Sequence, residues 1–154
     1  MTVLELMDAV AAGIEALAVA PLSTFSAYVT TPLSRREISD GAVFIDLGEE
    51  GAGEKGIGIA GGVGRFEVVV PLEIVATWHA EDTDTDRDKG FTMLEQLAKF
   101  VRVNRSITAG GETARYGTWS GGKPGYLDEG RDDESQMLRA VTVKATWTIP
   151  QDTD

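Results

Sequence analysis

The segment Arg65–His79 constrains the fold most, because apolar and polar residues alternate through it with a period of two. Phe66, Val68, Val70, Leu72, Ile74, Ala76 and Trp78 fall on one face, with Glu67, Glu73, Thr77 and His79 on the other. Successive side chains of an extended chain point to opposite faces, so the pattern describes a long strand with one covered and one wetter face. Pro71 interrupts it. Having no N–H to give to a ladder, it predicts a bulge or an edge position. A second alternating run, residues 138–149, sets Val141, Val143, Ala145, Trp147 and Ile149 against Thr142, Lys144, Thr146 and Thr148. Antiparallel pairing of the two runs puts Trp78 and Trp147 together on the covered face of one sheet.

Two stretches carry helical spacing instead. Thr2 followed three residues later by Glu5 fits a capping box, and Val3, Met7, Val10, Ile14 and Leu17 recur at helical intervals up to Pro21. Leu4, Leu6 and several alanines widen that stripe, which suits packing against a sheet. Phe91, Leu94, Leu97, Ala98 and Val101 predict a second helix over about residues 87–103. Its aspartates lie at the N-terminal end and Arg102 and Arg105 at the other, the arrangement a helix dipole favours. Shorter strands are expected over residues 24–31, ended by Pro32, and over Ala42–Leu47, with the polar residues 32–40 joining them. The expected fold is α+β: a mainly antiparallel sheet covered on one face by two helices, with long glycine-rich loops.

The 154 residues match one domain. With no linker or internal repeat, residues 1–150 form one expected unit and residues 151–154 a frayed tail. The chain has no cysteine, which excludes disulfides, thiolate zinc sites and a cysteine nucleophile. Fourteen Lys and Arg stand against 25 Asp and Glu, a formal net charge of −11 that leaves no basic patch for specific nucleic-acid binding. No apolar run approaches the ~20 residues needed to cross a bilayer, and Glu5 and Asp8 break the pattern of an export signal. A reducing cytoplasm suits such a chain, away from membranes.

The candidate chemical motifs each lack a necessary part. Residues 56–61 match the letters of G-x-G-x-x-G, but a strand follows where a dinucleotide fold needs a helix. Lys55 does not stand where a P-loop lysine would. Asp82, Asp84, Asp86 and Asp88 alternate as at the start of an EF-hand, yet Arg87 and Met93 occupy the positions that need glycine and glutamate. Two readings remain there: a solvated loop capping the second helix, or a weak calcium site. His79 is the only histidine, and no serine lies in a G-x-S-x-G context. A pair of carboxylates for acid–base work is the one catalytic option composition leaves, and nothing singles out a pair. Neither catalysis nor a cofactor is expected.

Contact surfaces are the remaining functional signal. Residues 48–64 hold eight glycines together with Glu49, Glu50 and Glu54, and read either as a contact loop or as an idle excursion. Residues 110–130 are also glycine-rich and carry Tyr116, Trp119 and Tyr126, with a short hairpin expected around residues 121–125. These aromatics either fold back onto their own domain or anchor an interface.

The order of elements carries a resemblance. A short N-terminal helix, a Val/Ile strand and a glycine-rich excursion lead to "RFEVVVPLEIVATWHAEDTDTDRD". The helix "FTMLEQLAKFVRVN", a variable loop and the strand "RAVTVKATWTI" follow. This layout resembles the tail terminator, or tail completion, proteins of long-tailed bacteriophages over most of the chain. The resemblance implies a small α/β subunit assembling as a homo-oligomer, a hexameric ring, on the head-proximal end of the tail tube. There it ends tube growth and docks to the head. Its partners would be the tail tube protein and a head-completion or connector protein, in a virion tail assembled in the host cytoplasm. On that reading Tyr116, Trp119, Tyr126, Glu49, Glu50 and Glu54 are candidate interface residues, and Asp82, Asp84 and Asp86 candidate residues of a lumen that repels passing DNA. The alternatives are another neck or tail component, such as a head-closure or tube subunit, and a small-ligand or weak calcium-binding domain.

Overall fold

The computed structural model of the chain describes residues 1–29, 41–55, 65–127 and 138–152. The first helix, α1 (Val3–Glu15), starts as its capping box requires. Thr2 Oγ1 accepts from the Glu5 amide at 3.1 Å, and the Glu5 carboxylate accepts from the Thr2 amide at 2.6 Å. Leu6, Met7, Val10, Ala11 and Ile14 are buried, whereas Leu4 points outward. The helix stops short of Pro21, and a 3₁₀ turn at Leu22–Thr24 carries Leu22 and Phe25 into the core.

Seven strands among the described residues form one sheet: β1 (Ser26–Val29), β2 (Ala42–Leu47), β3 (Gly53–Lys55), β4 (Arg65–His79), β5 (Ile107–Ala109), β6 (Glu112–Leu127) and β7 (Leu138–Asp152). Their order is β1-β2-β4-β7-β6-β5, with β3 also beside β4. Only β1 and β2 run parallel; the other pairings are antiparallel. The two alternating runs pair as expected, without a break from Arg65↔Asp152 to His79↔Leu138. Trp78 and Trp147 are fully buried on the helix-covered face, with Val70, Leu72, Ile74, Ala76, Val141, Val143 and Ala145. Each large apolar side chain so buried stabilises the fold by about 1.5–3 kcal/mol. A second, smaller cluster, Ala42, Phe44, Val75 and Ala140, lies at alternate register positions on the opposite face.

Pro71 sits in a central strand rather than at the sheet's edge, and its pairing with Thr146 is unbroken. The other side of β4 explains why it is tolerated. Strand β2 ends at Leu47 opposite Leu72, and β3 begins at Gly53 opposite Val69, so residues 48–52 face only Val70 and Pro71. The Pro71 carbonyl accepts from the Gly48 amide at 2.9 Å, so that residue's hydrogen-bonding side looks into the gap between β2 and β3. The missing N–H therefore falls at a local edge within the sheet.

The second helix, α2 (Thr83–Val103), begins four residues before the expected start at residue 87. Asp82 is its N-cap, accepting from the Thr85 amide at 2.8 Å. Asp86, Gly90, Met93, Leu97, Phe100 and Val101 are buried, and the face they define leaves Phe91 outside. Phe91, counted in the apolar stripe from its spacing, is 54% exposed.

The segment expected to hold a loop and a hairpin at residues 121–125 is instead the long strand β6, and the hairpin lies earlier, at Gly110 and Gly111, both with positive φ. Packing overrides the weak strand propensity of glycine here. A Cβ on Gly122 would stand 2.8 Å from Leu94 Cδ1 and from the Thr142 carbonyl oxygen, so the glycine lets α2 lie close on the strand. Strand β7 continues to Asp152, past Gln151, where the expected tail would begin.

Candidate functional site

The exposed aromatics of β6 stand where that strand is irregular. Arg115 pairs with Thr148 and Thr118 with Thr146, so Tyr116 and Gly117 together oppose Trp147, which makes a β-bulge. Packing imposes it. The Trp147 indole donates to the Asn104 carbonyl at 2.9 Å, and a Cβ on residue 117 would lie 2.4 Å from Trp147 Nε1. The Gly117 amide donates to the Arg105 carbonyl at 2.8 Å. That turn of the chain leaves Tyr116 at φ 59°, a left-handed conformation that costs a non-glycine residue roughly 1–2 kcal/mol. Its side chain is 62% exposed. A second irregularity follows between Trp119 and Gly121, and Trp119 is 36% exposed.

Glu49 and Glu50 lie in the turn closing the gap between β2 and β3, where the Gly51 amide donates to the Gly48 carbonyl at 2.9 Å. With Glu73, Lys144 and Ser120, the residue after Trp119, they line a depression of about 20 Å³. That volume holds about one water, so the feature is a surface rather than a pocket. Ser120 borders this depression, whereas Trp119 pairs with Ala145, a residue of the helix-covered face, so the register does not bring Trp119 together with Glu49 and Glu50. Tyr126 pairs with Arg139 seven residues beyond Trp119 along β6, roughly 20 Å at strand rise, and does not join it. Glu54 is in β3, opposite Val68.

The three aspartates expected to act together divide by environment. Asp82 is exposed, and its carboxyl is held below the ordinary value of 3.8, first by the Thr85 amide and then by the Thr85 hydroxyl, which donates at 2.7 Å. Asp84 is exposed and pairs with Arg87 at 3.6 Å. Asp86 is 3% exposed and faces the core, which corrects its assignment to a solvated, DNA-facing surface. It accepts from Trp78 Nε1 at 3.0 Å and from the Glu81 amide at 3.1–3.2 Å, and pairs with Arg139 Nε at 3.5 Å. The signal was present in the sequence, because Asp86, Gly90, Met93 and Leu97 share one helical face.

Among the described residues, no three His, Cys, Asp or Glu side chains group so as to hold a metal ion. The alternating aspartates run into α2 instead of wrapping a loop, and both Asp82 oxygens are engaged by Thr85. The glycine motif at residues 56–61 lies outside the described residues.

A further feature escaped the sequence reading. A cleft of about 280 Å³ opens between the last turns of α2 and the chain after α1, lined by Leu17, Val19, Gln96, Lys99, Phe100, Val103 and Asn104. Gln96 Nε2 donates to the Ala20 carbonyl at 2.7 Å, while the buried Gln96 Oε1 has no hydrogen-bond partner among the described residues.

No protein-family model matches the chain, and no curated protein matches it either. What the described geometry offers is contact surface: exposed aromatics on a bulged strand, an acidic helix start, and an apolar cleft.

Proposed function

We propose that this chain is a structural virion protein that forms a ring at the head-proximal end of a phage tail, ends tube polymerisation and docks to the head connector. The order of its elements and their α+β arrangement support the reading, because they agree with the subunit that the resemblance implies. The observation that carries it is Tyr116, an exposed aromatic held at φ 59° beside the exposed Trp119. Backbone strain that is retained under a solvent-facing aromatic is an outlier that points to a contact role. In this reading Tyr116 and Trp119 meet a neighbouring ring, and Glu49 and Glu50 offer a separate acidic contact. Asp82 and Asp84 remain the candidate lumen charges.

The test is reconstitution. Purified protein is mixed with tail tubes that lack a terminator, and tube ends are imaged by electron microscopy alongside native mass measurement. Closed rings capping tubes of limited length are expected, and Tyr116→Ala with Trp119→Ala should abolish capping while leaving the circular dichroism spectrum unchanged. Long polymers of the protein alone would favour a tube subunit, and capping by the double variant would remove the role given to these aromatics.

A further inference from the structure

Resting on the reading that Tyr116 and Trp119 meet a neighbouring ring of another protein, we infer that Arg102, Arg105 and Arg115 around them bind carboxylates of its subunits, so the surface it presents is acidic. The first observation is where positive charge collects. Residues 99–123 hold five Lys and Arg, at positions 99, 102, 105, 115 and 123, against one acid, Glu112, in a chain whose net charge is −11. Glu95, one turn before Lys99 on α2, offsets that lysine. The three arginines are exposed and form no ion pair among the described residues.

The second observation is placement. Helix α2 runs antiparallel to β6: a Cβ on Gly90 would lie 3.3 Å from Pro124 Cβ, one on Gly122 2.8 Å from Leu94 Cδ1, and one on Gly117 2.9 Å from Arg105 Cα. The i, i+4 row Gly90, Leu94, Ala98, Arg102 therefore follows the strand towards the bulge and brings Arg102 to the stretch between Gly122 and Gly117, which holds Trp119. Arg105 lies beside Tyr116 and Gly117, its carbonyl accepting from the Gly117 amide at 2.8 Å. Arg115 pairs with Thr148, whose neighbours Trp147 and Ile149 are buried on the helix-covered face, so it approaches from the other face. The arginines thus flank the bulge from both faces of the sheet, with Tyr116 between them. Among the described residues no strand pairs with the outer side of β6 beyond Ala114, which leaves this edge open to a partner.

The third observation is chemistry. The dipole of α2 accounts for a cation at Arg102 but not for Arg115, which stands on a strand. A guanidinium takes a carboxylate through two parallel hydrogen bonds, and Arg, Tyr and Trp are the residues that anchor interfaces. Nucleic acid is the rival occupant, since phosphates also suit arginine and bases stack on aromatics. The net charge of −11 stands against it: a phosphate backbone runs on past three arginines and is repelled by the rest of the surface, whereas a protein's carboxylates can be few and local.

Arg105→Ala combined with Arg115→Ala, both at exposed positions, tests the site. Binding of a short fluorescent peptide of alternating glutamate and serine is measured by anisotropy, with its glutamine counterpart and an oligothymidylate of equal charge alongside. The natural protein should bind the glutamate peptide in preference to both, and the alanine variant should bind it at least about tenfold less tightly, the scale of one charged hydrogen bond. Arg105→Lys with Arg115→Lys keeps the charge without the planar fork and should recover only part of that loss. Equal binding of the glutamine peptide, tighter binding of the oligothymidylate, or an unchanged affinity in the alanine variant overturns the inference. Self-association of the natural protein that the alanine variant abolishes, read by sedimentation, would assign the patch to a second copy and overturn it as the contact with another ring. Normal capping of tail tubes by the alanine variant would overturn this contact while sparing the assembly reading. Selective glutamate binding by a protein that caps no tubes would support the site and count against the ring.

Discussion

The indole nitrogen of Trp78 donates to Oδ1 of Asp86 at 3.0 Å, joining the end of β4 to the first turn of α2 inside the core. The same carboxylate takes the Glu81 amide at 3.1–3.2 Å and pairs with Arg139 of β7 at 3.5 Å. One acidic side chain therefore ties the two long strands to the helix that covers them. Asp86→Ala would take from the Trp78 and Glu81 donors their acceptor and from Arg139 the carboxylate beside its Nε. The expected loss is about 3 kcal/mol, the low end for a broken buried pair because Arg139 is partly exposed. A urea midpoint lowered at unchanged slope would show it; a shift no larger than that of Asp84→Ala would contradict the buried role.

Asp82 predicts a pH effect of definite sign. Its folded carboxyl is held below 3.8 by the Thr85 amide and hydroxyl, so its contribution is fully present above 3.8 and is lost as pH falls through the lower folded value. Acidification below that point should therefore loosen the start of α2 first. Amide exchange at Thr85, followed by NMR, should quicken on acidification relative to residues in the middle of the helix. Asp82→Ala should remove the pH dependence, and an unchanged profile in that variant would assign the effect elsewhere.

Gly117 and Gly125 stand in the same strand and are expected to respond oppositely to alanine. At Gly117 the new Cβ would lie 2.4 Å from Trp147 Nε1 and 2.9 Å from Arg105 Cα, displacing the indole from the Asn104 carbonyl. Overpacking with a lost hydrogen bond should cost about 2–4 kcal/mol. At Gly125 nothing stands within 4 Å, and alanine should be neutral or slightly stabilising. Thermal melts of the two variants separate these outcomes, and similar melting temperatures would contradict the close approach at Gly117.

These contrasts show what kind of information was local. The Thr2–Glu5 cap and the alternation through β4 and β7 follow from near-neighbour rules, and they are found where the residues indicate. The parallel pairing of β1 with β2 joins strands across residues 30–40, which no local rule governs. Pro71 was read as marking a bulge or an edge position, whereas the gap opposite it depends on where β2 stops and β3 starts. Glycine content in residues 110–130 suggested a loop because propensity ignores what lies above the strand. Gly117 and Gly122 are there to admit Trp147 and Leu94. At the candidate site, Tyr116 and Trp119 were legible as aromatics without obvious cover, but the bulge that presents them comes from Trp147 and Arg105, distant in sequence. Asp86 was grouped with its neighbours by spacing, and the helical face it shares with Met93 and Leu97 decided its place.

Tyr116 offers the sharpest separation of stability from function. Its φ of 59° is strained for tyrosine and natural for glycine, so Tyr116→Gly relieves roughly 1–2 kcal/mol in the folded chain. Glycine also gains backbone freedom in the unfolded chain, which takes back about 0.5–1 kcal/mol. The side chain is 62% exposed, so little packing is lost. The net expectation is a monomer as stable as the natural one or up to about 1.5 kcal/mol more stable. If the strain is retained for contact, the same substitution should weaken assembly on tail tubes, and Tyr116→Asn, which also tolerates positive φ, should behave likewise. Denaturant midpoints and tube-capping assays on the two variants measure the two effects independently. A destabilised monomer would place the tyrosine ring in the fold's own packing, and unimpaired capping would remove it from the interface.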